Sequence, residues 1–184
     1  LLAGLAVGMV LWRLPREPQP VTQARVGVSP AAELSAGGMH PTVVLPAGGA
    51  RTALAWSPDG RTLAFIGVQD GVRQIFLRDL AGDSARALAG TEVVRAFALS
   101  PDGSEAAFWA DGAIRKVKLA GGPPVKLCDA GTVNGIAFGT SRIVFVEAPL
   151  LFEISPAGGE RRQLTQWQEL VRHSVPALLP GDKA

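Results

Sequence analysis

An all-β chain built from a repeated four-stranded unit is what this sequence predicts, and three observations predict it. Ala53 to Phe65 (ALAWSPDGRTLAF) comes back as Ala96 to Phe108 (AFALSPDGSEAAF), with the two Ser-Pro-Asp-Gly units starting 43 residues apart at Ser57 and Ser100. The matched positions Ser57, Ser100, Gly139 and Leu179 are then spaced 43, 39 and 40 residues apart. The composition, 47% apolar and only 18% charged with 22 Gly and 14 Pro, suits a turn-rich globular β protein rather than a solvated disordered chain. A turn set between apolar runs and recurring at that period points to blades laid one after another. The expected fold is a partial β-propeller over residues 43–184. It has about three four-stranded antiparallel blades (49–90, 91–131, 132–170) and the start of a fourth (171–184), preceded by an N-terminal apolar helix.

The apolar helix is expected over residues 1–14. Leu1 to Trp12 (LLAGLAVGMVLW) carries no charged side chain. At about 1.5 Å per residue it covers roughly 18 Å, short of the ~30 Å hydrocarbon core, so it reads as part of a membrane-spanning helix. A signal-peptide core or a buried helix is the alternative. Trp12 suits the interface, and Arg13 and Arg16 follow it without deciding the orientation. Residues 15–42 read as a linker, because Pro15, Pro18, Pro20, Pro30 and Pro41 interrupt any sustained period. Thr42 to Leu45 (TVVL) is a candidate lead-in strand.

In the first repeat Leu54 to Trp56 is a strand and Ser57-Pro58-Asp59-Gly60 a turn. Proline presets φ there, Asp accepts backbone hydrogen bonds, and Gly takes the positive-φ position. Thr62 to Ile66, nearly all apolar, reads as a strand buried on both faces. Gln69-Asp70-Gly71 turns the chain into Gln74 to Leu80, and Ala81-Gly82-Asp83 turns it into an outermost strand at Arg86 to Leu88. The second repeat has strands Ala96 to Leu99, Ala106 to Trp109, Ile114 to Leu119 and Val125 to Cys128. The third has Gly135 to Phe138, Ile143 to Val146, Leu151 to Ile154 and Gln163 to Thr165. It puts Gly139-Thr-Ser-Arg142 in place of the Pro-Asp-Gly turn and is short between Val146 and Leu151, so a distorted blade is expected. The fourth opens at Val175 to Leu179.

No catalytic, cofactor-binding or metal-ligating residue emerges. Asp59 and Asp102 occupy turns where Asp serves local hydrogen bonding. His40 and His173 have no Cys or His partner at ligand spacing, and the single cysteine, Cys128, reads as a packing residue. Arg115, Lys116 and Lys118 read as a solvated strand face, and Trp56, Trp109 and Trp167 as blade core. A net charge of +2 gives no nucleic-acid signal. Neither a Gly-x-Ser-x-Gly elbow nor a kinase catalytic loop is present in the chain.

At Trp56-Ser-Pro-Asp-Gly-Arg-Thr-Leu-Ala-Phe65, and in part at Leu99 to Gly103, the sequence resembles the TolB-like, WD40-like (PD40) propeller repeats. The order of features, with the phrases Ile75 to Leu80, Ala110 to Leu119 and Gly121 to Cys128, looks like bacterial eukaryotic-type serine/threonine protein kinases. In those a cytoplasmic kinase domain, one transmembrane helix and an extracytoplasmic propeller follow each other. The resemblance implies a non-catalytic, membrane-anchored, single-pass segment that binds a protein or peptide as sensor or scaffold. The propeller of a prolyl-oligopeptidase-like hydrolase and a degenerate gene fragment are the alternatives. Three and a fraction repeats cannot close a ring of six to eight blades, roughly 240–320 residues, so truncation or self-association to complete the propeller is expected, with an uncovered blade face.

Overall fold

The computed structural model describes residues 26–35, 54–167, 173, 175–179 and 182. The expected helix at 1–14, the lead-in strand at Thr42 to Leu45 and His40 lie outside them. No helix among the described residues is long and apolar enough to cross a membrane.

Three antiparallel sheets follow one another along the chain, as the period requires. The first holds β1 (Glu33–Leu34), β2 (Leu54–Trp56), β3 (Thr62–Gln69), β4 (Val72–Asp79) and β5 (Ala85–Ala87). The second runs β6 (Ala96–Leu99), β7 (Glu105–Ala110), β8 (Ala113–Lys118) and β9 (Val125–Asp129). The third runs β10 (Val133–Phe138), β11 (Ile143–Glu147), β12 (Leu150–Ile154) and β13 (Arg162–Gln163). Each is a blade whose strands neighbour one another in chain order, except that β1 and β2 both pair with β3.

Alternation within the strands explains why the blades stack. On β3, Ala64 and Ile66 face the second blade, where they join Phe97, Phe108 and Val117 in one core. On β7, Ala107 faces the other way and joins Ile136, Ile143, Phe145 and Ile154 of the third blade. A central strand in such a stack is apolar on both faces, and Leu63 through Gly67 are all buried. Phe65, Phe76, Phe97, Phe108 and Phe145 are fully buried, each worth about 1.5–3 kcal/mol of transfer free energy. The blades touch chiefly through their innermost strands, β2 against β6 and β6 against β10.

The linker expectation is corrected at its far end. Residues 33–34 form β1, pairing Glu33 with Val68 and Leu34 with Gly67, while β2 pairs Leu54 with Phe65 farther along the same edge of β3. The Ser35 amide donates to the Ile66 carbonyl at 2.8 Å, so the two short strands lie end to end. Upstream of β1 the chain crosses the outer face of the first blade. The Ala85 amide donates to the Ser29 carbonyl at 2.8 Å, and Val26, Val28 and Ala31 pack on Phe65 and Phe76. This strap covers part of the face expected to be bare. A proline-broken sequence has no period, but it still supplies Val and Ala to an apolar sheet.

The distortion expected between Val146 and Leu151 is also corrected. Glu147 pairs with Leu150 and the register runs unbroken from Ile143 to Ile154, so Ala148-Pro149 is a two-residue connection. The other blades use Asp70-Gly71 and Asp111-Gly112 at the same place, with positive φ at all four residues. The irregularity of the third blade lies instead at a register shift between Val133 and Gly135. Of the expected fourth repeat, the described residues form no strand beyond a bridge at Leu179. Trp56 and Trp167 are 51% and 68% exposed and are not core; Trp109 is, its indole N–H donating to the Ala130 carbonyl.

A Cβ on Gly67 would meet the Ala31 Cβ at 2.8 Å and Phe76 Cδ2 at 2.9 Å. Gly67→Ala is therefore expected to push the strap off the blade and cost about 1–3 kcal/mol, read as a lower urea midpoint. An unchanged midpoint would show that the strap contributes nothing.

Candidate binding site at the turn ends of the first two blades

The Ser-Pro-Asp-Gly unit builds the same object twice. Ser57 Oγ donates to Asp59 Oδ1 at 2.5 Å and accepts the Thr62 amide at 2.9 Å. Asp59 Oδ1 also accepts the Arg61 amide at 3.0 Å. In the second blade Ser100 Oγ donates to Asp102 Oδ1 at 2.6 Å and accepts the Glu105 amide at 2.9 Å. Ser104 gives its amide to Asp102 Oδ1 and its hydroxyl to Oδ2. Gly60 and Gly103, with φ of 68° and 72°, donate back to the Ser57 and Ser100 carbonyls and close each turn. The turn roles expected for both aspartates are what the geometry shows.

These hydrogen bonds favour the charged carboxylates. The Ser100 hydroxyl first, then the Ser104 amide and hydroxyl, hold Asp102 down at about 2 against an ordinary 3.8. Asp59 is lowered in the same way, first by the Ser57 hydroxyl and then by the Arg61 amide.

Between the two turns lies a cleft of about 570 Å³. Asp59, Asp79 and Asp102 line it with Ser84 and Arg86, and Leu77, Leu119 and Pro58 supply its apolar surface. Antiparallel topology brings these together, because the β2–β3 and β4–β5 connections leave a blade at the same end. Asp79 Oδ1 accepts the Ala81 amide at 2.9 Å, and Arg86 reaches across to donate to the Leu119 carbonyl of the second blade. Such a cleft, with carboxylates fixed by turns and one arginine at its side, suits a ligand with basic or hydroxyl groups on an apolar stem. Arg86 and Asp79 escape sequence reasoning as site residues, since neither lies in the repeated Ser-Pro-Asp-Gly unit and only the β4–β5 hairpin carries them here.

The other singled-out residues lie elsewhere. Cys128 is half-buried against the core between blades two and three, and burial pushes its thiol up. Lys116 pairs with Glu105 at 3.1 Å, so part of the expected basic face is neutralised within its own blade. Among the described residues no group of three or more His, Cys, Asp and Glu is placed to hold a metal ion.

No family model and no curated protein matches the chain. Solved structures do. TolB from Acinetobacter baumannii matches at 23% identity and a TM-score of 0.54, over 62% of this chain and 32% of that one. The nidogen/laminin complex matches at 20% and 0.55, over 69% and 51%. The β-propeller domain of Myceliophteria thermophila Cps50 (Swd1) matches at 17% and 0.51, over 71% and 47%. The likeness is one of fold: this is a β-propeller-like stack, and it spans between about a third and a half of the length of those chains.

With the folded value depressed, the Asp102 contribution to stability is present above pH 3.8 and is lost as pH falls from there toward 2. Carboxyl NMR should place the Asp102 midpoint near 2, and Ser100→Ala should move it back toward 3.8. A midpoint near 3.8 in the unsubstituted chain would show that the turn does not hold.

Proposed function

We propose that this chain is a non-catalytic binding module that presents the cleft between its first two blades to a protein or peptide ligand with a basic side chain. The carrying observation is the cleft itself: Asp59, Asp79 and Asp102 are set around apolar Leu77 and Leu119, and the turns that hold Asp59 and Asp102 favour their ionised form. Residues 1–14 tether the module to a membrane, with the propeller outside the cytoplasm as sensor or scaffold of a receptor-type serine/threonine kinase. That part is supported by the apolar run, the proline-rich spacer and the kinase-associated phrases in the repeats. Propellers host many unrelated activities, so the fold alone does not choose among ligands.

Selection from a random peptide library on the detergent-solubilised full chain should enrich Lys- or Arg-containing sequences. Ser84→Trp, which fills the cleft from an exposed position, should weaken them about tenfold or more, ~1.4 kcal/mol. Binders without basic residues, or binders indifferent to Ser84→Trp, would sink the assignment. For the tether, a chain beginning at Val21 keeps the strap intact and should be released from membranes by alkaline carbonate while the full chain is retained. Equal release of both would remove the tether.

A further inference from the structure

We propose that the cleft between the first two blades contains a carboxylate-binding subsite at Arg86, so that its ligand carries an acid group beside the basic one. The subsite rests on the basic-ligand reading of the cleft and supplies the other half of the ligand's charge. Equivalent positions in the three blades carry the inference. Leu77 pairs with Ala64 and Arg86, Lys116 with Ala107 and Val125, and Glu153 with Val144 and Arg162, so Leu77, Lys116 and Glu153 hold one position in the repeat. Thr62, Glu105 and Arg142 hold another, each accepting with its carbonyl the amide of the residue that opens the turn, Ser57, Ser100 or Gly139.

Blades two and three fill these two positions with an ion pair. Lys116 Nζ lies 3.1 Å from Glu105 Oε2, and Arg142 Nη1 lies 3.2 Å from Glu153 Oε2. The charges are reversed between the two blades, yet in both a cation and a carboxylate occupy the same place. In the first blade the positions carry Thr62 and Leu77, which form no such pair, and both line the cleft. The cleft is therefore a departure of the first blade from its own repeat.

Arg86 makes that departure chemically specific. Its equivalent in the third blade is Arg162, which donates to Glu153 Oε1 through Nε at 2.9 Å and through Nη2. In the first blade Leu77 stands where Glu153 stands, and among the described residues Arg86 has no carboxylate partner. Its Nη2 donates to the Leu119 carbonyl, which holds the guanidinium beside the cleft with Nε and Nη1 uncommitted. A guanidinium stays charged at neutral pH and its planar fork matches a carboxylate. Asp59 and Asp79 accept their turn donors on Oδ1, which leaves Oδ2 of each without a donor among the described residues. The cleft thus offers a cation and carboxylate oxygens that do not satisfy one another. A ligand with a base and an acid joined by a short apolar stem meets both and lays the stem on Leu77 and Leu119. A peptide ending in Lys or Arg has this chemistry in its last residue, and a basic residue next to Glu or Asp has it in two.

The test is an NMR titration of the detergent-solubilised full chain with N-acetylated peptides: Ala-Ala-Lys as the free acid, Ala-Ala-Lys as the amide, and Ala-Glu-Lys as the amide. At least one carboxylate-bearing peptide should bind about fivefold or more tighter than the Ala-Ala-Lys amide. The free acid leading assigns the carboxylate to a chain terminus, and the Glu peptide leading assigns it to a side chain. Arg86→Gln should bring the ratio to about one, while Arg86→Lys should keep part of it. Leu77→Glu, which copies Glu153 of the third blade, should also cancel the preference by giving Arg86 a carboxylate within the chain. Far-UV circular dichroism reports whether that variant folds, and should it not, the Arg86 pair carries the test. Equal binding of all three peptides, or a preference that survives Arg86→Gln, overturns the subsite and leaves the basic-ligand reading standing. A chain that binds none of the three overturns both.

Discussion

A sheet with two apolar faces must be covered twice, and this one requirement organises the molecule. β3 and β7 are buried on both sides because each middle strand is pressed between two layers of side chains. Between blades one and two, and again between two and three, the cover is the next repeat. At the outer face of the first blade it is the strap, Val26 to Ser35, which packs over Phe65 and Phe76 and pairs with part of the β3 edge that β2 shares. The exposed Leu54, Trp56 and Leu80 mark where that cover is incomplete.

The Ser-Pro-Asp-Gly turns answer a smaller demand of the same stack. A strand returning beside its predecessor must reverse within four residues while leaving few backbone amides unpaired. The serine hydroxyl takes the amide of the returning strand, and the aspartate takes the serine hydroxyl and a loop amide. The third blade lacks that aspartate, and Asp182 supplies the acceptor from about a blade away, taking the Thr140 and Ser141 amides. The carboxylates that hold the turns also give the cleft its charge, so architecture and binding chemistry share residues there. Arg86, bridging from β5 to the Leu119 carbonyl, ties the blades together at the same cleft.

Much of the fold was legible in the order of residues. Among the described residues, twelve of the thirteen strands lie where alternation and turn signals put them, with β2 and β6 at the expected Leu54 to Trp56 and Ala96 to Leu99 and the others differing by a few residues at their ends. β1 was not legible, because two residues in a proline-broken stretch carry no period. The assignment of Trp56 to the core failed for a related reason. Its position in the repeat is a core position, as Leu99 shows, but whether it is buried depends on a neighbouring sheet that the described residues do not place there. For the site, Asp59 and Asp102 were visible as turn residues, while Asp79, Ser84 and Arg86 joined them only through the β4–β5 hairpin.

What the sequence by itself determined is everything set within one repeat: strand, turn, strand, and the face on which each apolar side chain emerges. These depend on φ preferences and on a period of two, both read over a few residues. What only the tertiary structure decided is set between distant segments. A strap from residues 26–35 caps the first blade, Asp182 replaces a missing turn residue, and two turns 43 residues apart enclose one cleft. Such contacts follow from which surfaces remain open once the blades have stacked, and a side chain far along the chain carries no local mark of the surface it will cover.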